Sequence, residues 1–185
     1  MTDRIVLLDR DGVINEDSDA YVKSAEEWTP IPGSLEAIAR LGSAGFRVAV
    51  VSNQSGVARG FFDLAALGKM HQKFRDLLAK QGGRVEMIAF CPHAPTQCCD
   101  CRKPRPGLLQ SVSRRLGVAL QGVPFIGDSL SDIQTARSLG MEPWLVQTGK
   151  GMHTLRQTPH ELDGVKIYPD LRGIAEELIK AGSTK

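Results

Sequence analysis

The sequence predicts an α/β fold, a doubly wound parallel sheet with helices on both faces. Three observations carry that expectation. Ile5-Val6-Leu7-Leu8, Val48-Ala49-Val50-Val51 and Val123-Pro124-Phe125-Ile126 are short runs dominated by apolar residues, with no polar alternation. Such runs suit strands buried on both faces. Stretches with apolar residues at helical spacing separate them, the pattern of βαβ units. Finally, the runs end abruptly in polar groups: Asp9-Arg10-Asp11-Gly12, Ser52-Asn53 and Gly127-Asp128. Open α/β sheets bind ligands at the carboxyl ends of their strands.

Taken in order, the first strand breaks at Gly12, where glycine permits a turn. Residues 13–22 form a polar excursion too short for a separate cap domain. Pro30, Pro32 and Gly33 mark a loop. Ser34 is the expected N-cap of a helix carrying Leu35, Ile38, Ala39 and Leu41, closed by Gly42 and Gly45. After the second strand, Asp63 is expected to cap a longer helix whose Leu64, Leu67, Met70, Phe74 and Leu77 share one face. Met87-Ile88-Ala89-Phe90 reads as a third strand running into Cys91. Helices follow from about 107 to 116 and from about 131 to 139, the second ended by Gly140. Residues 143–146 and 165–168 are short final strands, and residues 171–181 form a last amphipathic helix before a frayed tail at 182–185.

With 185 residues, 42% of them hydrophobic, the chain is expected to form one domain over residues 1–185. A formal net charge of +2, with no dense Lys/Arg block, argues against a nucleic-acid partner. No apolar run approaches the roughly 20 residues that span a bilayer, so no membrane partner is expected. The first strand begins almost at once, which leaves no room for a signal peptide; a cytoplasmic protein and a monomer are expected. All four cysteines lie between Cys91 and Cys101. In a reducing compartment, such clustering favours a metal site over disulfides.

Asp9 and Asp11 repel each other unless a cation or a shared proton sits between them. A calcium loop is excluded, because the preceding run is a buried strand and no glutamate falls at the twelfth position. With Ser52, Lys103, and Gly127-Asp128 with Asp132, these residues resemble, in order, the four motifs of the haloacid dehalogenase (HAD) superfamily of phosphohydrolases, across almost the whole chain. The resemblance implies a Rossmann-like core without a large cap. It also implies that Asp9 is a nucleophile forming an aspartyl-phosphate and Asp11 the general acid and base. Ser52 and Lys103 would stabilise the phosphoryl oxygens. Mg²⁺ would be held by the side chains of Asp9 and Asp128 and the main-chain carbonyl of Asp11. Asp132 would orient Lys103 or complete the outer shell of the metal, or simply favour the start of a helix. The dehalogenases that name the superfamily lack the second aspartate, so this chain resembles its phosphatase branch.

Cys91, His93, Cys99 and Cys101 supply four ligands suited to a closed tetrahedral Zn²⁺ site within a loop of about 91–103. Cys98 could replace Cys99; the related family pattern, Cys-x-Cys immediately before Arg-Lys-Pro, favours Cys99. A closed site would be structural and would hold the loop that delivers Arg102 and Lys103. This loop resembles that of two groups, the heptose 1,7-bisphosphate 7-phosphatases and the histidinol-phosphate phosphatases. Residues 53–60 look like the heptose group, which has an arginine at the place of Arg59, whereas the compact spacer between ligand pairs is nearer the histidinol type. The heptose resemblance implies a small phosphorylated sugar as substrate, removal of its C7 phosphate, and a place in supplying ADP-heptose for lipopolysaccharide core. Asp17, Ser18, Asp19, Ala20 and Tyr21, with Asn53, Gln54 and Ser55, align with substrate segments of that family. Arg59 and Arg102 suit a second phosphate, because guanidinium binds phosphate bidentately. A non-catalytic, zinc-stabilised binding module is the alternative from another class. His71, His153 and His160 are assigned no role. Gly149-Lys150-Gly151 lacks the rest of a nucleotide phosphate loop, although Lys150 could line the cleft entrance.

Overall fold

A computed structural model describes residues 4–183. In chain order the elements are β1 (Ile5–Leu8), α1 (Ser34–Ser43), β2 (Arg47–Asn53), α2 (Leu64–Lys80), β3 (Met87–Cys91), α3 (Gly107–Leu116), β4 (Pro124–Gly127), α4 (Leu130–Ser138), β5 (Glu142–Val146), α5 (Gly151–Gln157), β6 (Lys166–Tyr168) and α6 (Leu171–Ser183). A 3₁₀ turn at Pro159–Leu162 follows α5. All six strands are parallel, in the order β3-β2-β1-β4-β5-β6. The order reverses between β1 and β4. That switch point opens a crevice at the strands' carboxyl ends.

Successive residues of a strand point to opposite faces, and both faces here are covered. Val6 and Leu8 of β1, Val48 and Val50 of β2 and Ile126 of β4 pack with α1, α2 and α6. Their neighbours Ile5, Leu7, Ala49, Val51 and Phe125 pack on the other side with Leu108, Leu109 and Val112 of α3 and Ala136 of α4. Continuous apolar runs are therefore required, as the sequence suggested. The edge strands β3 and β6 are only partly buried, and β6 is just three residues long.

Several boundaries differ from expectation. Gly33, in the left-handed region at φ 82°, precedes the first helical residue, Ser34. The Ser34 hydroxyl does not cap; it donates to the carbonyl of Ile14 at 2.6 Å and ties the excursion after β1 to α1. Leu64 is exposed, so the apolar face of α2 begins at Leu67. Gly182 is helical, since α6 runs on to Ser183; the remainder of the expected tail lies outside the described residues. Asp63 caps α2 as expected, its carboxylate accepting from the Ala66 N–H at 2.7 Å. No described helix is long and apolar enough to cross a membrane.

Candidate active site

The carboxyl ends of β1, β2 and β4, the loop before α3 and the loop after β5 enclose a cavity of about 290 Å³. Asp9, Asp11, Ser52, Lys103 and Asp128 all line it, so residues spread over most of the chain meet in one crevice.

Lys103 lies at its base, fully buried. Its ammonium is 3.0 Å from Asp9 Oδ2 and 2.6 Å from Asp132 Oδ1, and it donates to the Val51 carbonyl at 3.0 Å. Two reciprocal bonds fix its main chain: Asn53 Nδ2 donates to the Lys103 carbonyl and Lys103 N–H to Asn53 Oδ1, both at 3.1 Å. Burial works against the charge on Lys103, but Asp132 and Asp9 beside it hold its pKa above the ordinary lysine value. Asp132 serves two purposes. Its Oδ2 accepts from the Ser129 N–H at 3.1 Å and the Ser129 hydroxyl at 2.6 Å, securing the start of α4, while Oδ1 faces Lys103.

Asp9, Asp128 and Asp132 each place a carboxylate oxygen within 4.8 Å of the others. Burial pushes Asp9 up to about 7 and Asp128 up to about 8, with neighbouring carboxylates adding to the shift in each case. With all three acids ionised against one lysine, two negative charges would stand in a buried space, and all the donors are hard oxygens. A divalent cation such as Mg²⁺ fits that donor set. Asp132 is already engaged through both oxygens, which leaves Asp9 and Asp128 as the available side chains. The Lys150 N–H donates to Asp128 Oδ2 at 2.7 Å, and the Thr154 hydroxyl to the Asp128 carbonyl at 2.9 Å. Gly12 and Gly149 cross here at positive φ. A Cβ on either would run into the Asp128 carboxylate.

The Asp11 carboxylate is not part of this cluster. Its Oδ1 accepts from Arg10 Nη2 at 2.7 Å, Arg10 Nε at 3.1 Å and Asn15 Nδ2 at 2.9 Å. Its Oδ2 accepts from Arg10 Nη2 at 3.0 Å and Gln54 Nε2 at 2.8 Å. Burial alone would raise Asp11; the Arg10 guanidinium and the hydrogen bonds outweigh it and hold the carboxyl below its ordinary range. Gln54 also donates to Ser52 Oγ at 2.7 Å, linking two of the expected functional groups.

Around the mouth lie Asp17, Ser18, Asp19, Tyr21, Asn53, Gln54, Ser55 and Arg102. Ala20 and Arg59 do not line the cavity. Ala20 is an exposed loop residue. The Arg59 guanidinium instead lies over the Tyr21 ring, 5.9 Å from its centroid, and Tyr21 also packs against Phe61. Lys150 lines the cavity beside Asp17, its ammonium 3.1 Å from the carboxylate. Sequence reasoning placed Lys150 only at the entrance; its main-chain grip on Asp128 leaves no side-chain signature. Phe62, Val22, Ser129 and Ser131 line the cavity too and were missed. An apolar residue or a serine at a strand or helix end carries no distinguishing pattern.

Beside the crevice, Cys91, His93, Cys99 and Cys101 bring their ligand atoms within 4.8 Å of one another. Cys91 Sγ is 3.5 Å from His93 Nδ1 and 3.8 Å from Cys99 Sγ, and His93 Nδ1 is 3.2 Å from Cys101 Sγ. Sulfurs bound tetrahedrally at 2.3 Å from zinc would lie about 3.8 Å apart, the Cys91–Cys99 separation, whereas Cys101 Sγ lies closer, 3.0 Å from Cys91 Sγ; the donor set, three sulfurs and an imidazole nitrogen, suits such an ion. Cys98 is exposed and outside the group, whereas Cys99 lies within it. Arg102 donates to the His93 carbonyl at 3.3 Å and Arg105 donates to that of Cys99, tying the cluster to the chain around Lys103.

A doubly wound parallel sheet whose strand ends gather an Asp-x-Asp pair, a serine, a buried lysine and a third acid is the architecture of the HAD-like phosphomonoester hydrolases. A model of the HAD-hydrolase-like family matches residues 100–174. The D-glycero-β-D-manno-heptose-1,7-bisphosphate 7-phosphatase of Pseudomonas aeruginosa is 51% identical over 180 residues, covering 97% of this chain and all of the relative. That of Bordetella bronchiseptica is 50% identical over 96% of this chain and 98% of the relative. Among solved structures, the D,D-heptose 1,7-bisphosphate phosphatase of B. bronchiseptica, complexed with magnesium and phosphate, superposes with a TM-score of 0.93 at 50% identity, covering 96% and 99% of the two chains. The corresponding enzyme of Burkholderia thailandensis gives 0.74 at 40% identity, covering 95% and 98%. The chain belongs to the D-glycero-β-D-manno-heptose-1,7-bisphosphate 7-phosphatase family and is a phosphomonoester hydrolase.

Proposed function

We propose that the chain removes the C7 phosphate of D-glycero-β-D-manno-heptose 1,7-bisphosphate and leaves the anomeric phosphate, acting as a monomer in the cytoplasm to supply ADP-heptose synthesis. The observation that carries this reading is the full-length match, at half identity, to relatives named for that reaction, with every expected catalytic side chain gathered in one cavity.

The residues account for the chemistry. Asp9 Oδ attacks phosphorus while the bond to the C7 oxygen breaks, giving an aspartyl-phosphate. Asp11 delivers a proton to the departing oxygen, then takes one from the water that attacks the phosphorus and frees Asp9. The Ser52 hydroxyl and the Lys103 ammonium hold the phosphoryl oxygens, and Asp132 keeps Lys103 aimed at them. Asp9, Asp128 and the Asp11 carbonyl would hold Mg²⁺, which neutralises the repulsion between the incoming phosphate and Asp9 when it is bound. The cysteine–histidine cluster would hold a structural Zn²⁺ that fixes Arg102 and Lys103. Arg102 and Lys150 flank the mouth and can meet the second phosphate.

Steady-state phosphate release, with Mg²⁺, from both anomers of the heptose bisphosphate and from histidinol phosphate tests the reading. The expected order places the β-heptose bisphosphate first. Preference for histidinol phosphate would overturn it.

A further inference from the structure

Arg10 stands between the two acids of the first strand end, yet it is 1% exposed, a rare state for arginine. Its main chain and side chain do different work. The Arg10 N–H donates to Asp9 Oδ1 at 2.7 Å, and its carbonyl accepts from Ile14 N–H at 2.8 Å, locking the turn that follows β1. The guanidinium reaches the other acid and grips Asp11 with Nε and Nη2. Behind it, Arg10 Nη1 lies 3.4 Å from His71 Nε2 on α2. His71 is pushed down to about 4, by burial first and by Arg10 second, and is therefore a neutral acceptor that backs the guanidinium. The Phe90 ring packs on His71, 5.9 Å between centroids.

The two oxygens of Asp11 are thus unequal. Oδ1 has three donors, from Arg10 twice and from Asn15, which fill its lone pairs. Oδ2 keeps one Arg10 contact and one from Gln54, whose amide also serves Ser52. Gln54 is the donor that can yield its place.

We infer that Arg10 is a positioning residue for proton transfer: with Asn15 it occupies Oδ1 and presents Oδ2 of Asp11 to the oxygen leaving the phosphorus. The inference rests on the proposed function. Asp11 is ionised in the free site and first takes a proton from solvent on Oδ2, in place of the Gln54 hydrogen bond. In the first step the P–O bond breaks, its electron pair stays on the leaving oxygen, and that proton moves to it. In the second, the attacking water returns a proton to Oδ2. A lysine cannot reproduce the fork, because its ammonium is a single point of charge.

An aryl phosphate separates this role from a merely structural one. The 4-nitrophenolate ion departs without a proton, whereas a sugar alkoxide needs one. The experiment compares the first turnover, before water frees Asp9, of the heptose bisphosphate and of 4-nitrophenyl phosphate by wild type, Arg10→Met and Arg10→Lys, with melting temperatures alongside. The expected loss of first-turnover rate on the sugar ester is about 10²-fold or more, the scale of general acid–base catalysis. The first-turnover burst of 4-nitrophenolate slows by under about tenfold, and Asp11→Asn shows the same split, while steady-state turnover of both esters falls because the second step uses Asp11 whichever alcohol has left. Arg10→Lys keeps a buried cation; its failure to restore turnover of the sugar ester is expected and supports the fork even where Arg10→Met folds poorly. Equal losses of first-turnover rate on both esters, or full activity of Arg10→Lys on the sugar ester, overturns the inference. Wild type inactive on both esters would instead defeat the proposed function, and that outcome is distinguishable from the others.

Discussion

Lys103 and Asp132 form an ion pair 2.6 Å long in which both side chains are fully buried. The pair joins the loop before α3 to the first turn of α4 and sets the ammonium against Asp9. Asp132→Ala removes one of the two carboxylates beside that buried ammonium, with Asp9 remaining at 3.0 Å, and leaves the Ser129 N–H without its acceptor; a loss of about 1–3 kcal/mol is expected, with lower turnover as Lys103 loses its fixed direction. Urea unfolding and kcat measured on the same preparation check both effects; unchanged stability would contradict the account.

The acids around the cleft predict a pH dependence. Asp9 and Asp128 are raised to about 7 and about 8, above their unfolded values near 4. In the metal-free protein the folded chain holds protons that the unfolded chain has released. The stabilisation these groups give is complete below the unfolded values and is lost as pH rises through about 7 and 8. Mg²⁺ needs both carboxylates ionised, so its affinity grows across the same window and binding releases protons. Thermal melts with and without Mg²⁺ should show a larger metal-induced rise at pH ~8.5 than at pH ~6. The reverse order would contradict the assignment of these acids to the metal.

The crossing of Gly12 and Gly149 leaves no room for a side chain. Gly149→Ala would press a methyl group against the Asp128 carboxylate, in a backbone conformation that alanine disfavours. A loss of Mg²⁺ affinity of at least tenfold is expected, and titration calorimetry reads it. Gly122 offers the control: it also has positive φ but no atom near its absent Cβ, so Gly122→Ala brings backbone strain without the loss of metal affinity.

For the cysteine cluster, Cys99→Ser is expected to lower bound zinc and the melting temperature, whereas Cys98→Ser leaves both unchanged. Elemental analysis of protein purified without chelator checks this. Zinc absent from the wild type would remove the site.

The central strands were legible because burial on both faces demands unbroken apolar runs, and β1, β2 and β4 meet that demand with Val, Ile, Leu, Ala and Phe. The gathering of Asp9, Ser52 and Asp128 followed from their places at strand ends, whereas Lys103, in the loop between β3 and α3, was brought to the site by the family resemblance. Helix α5 was invisible, since Gly151-Met152-His153-Thr154-Leu155-Arg156-Gln157 has no apolar stripe and buries only Gly151 and Thr154. Arg10 was equally hidden: between two aspartates it reads as a solvated charge, and only the arrival of His71 from α2 makes its pocket. Arg59 was singled out in the sequence and lies outside the cavity lining. It suits a phosphate chemically, but its loop lays it on Tyr21 instead.

The claim on which the mechanism rests is that Asp9 becomes covalently phosphorylated. Acid-quenched reactions with the heptose bisphosphate and Mg²⁺, digested and read by mass spectrometry, should carry the phosphoryl group on the peptide containing Asp9, and Asp9→Asn should carry none. Turnover with no phosphoryl group at position 9, or with one at another residue, would contradict the account.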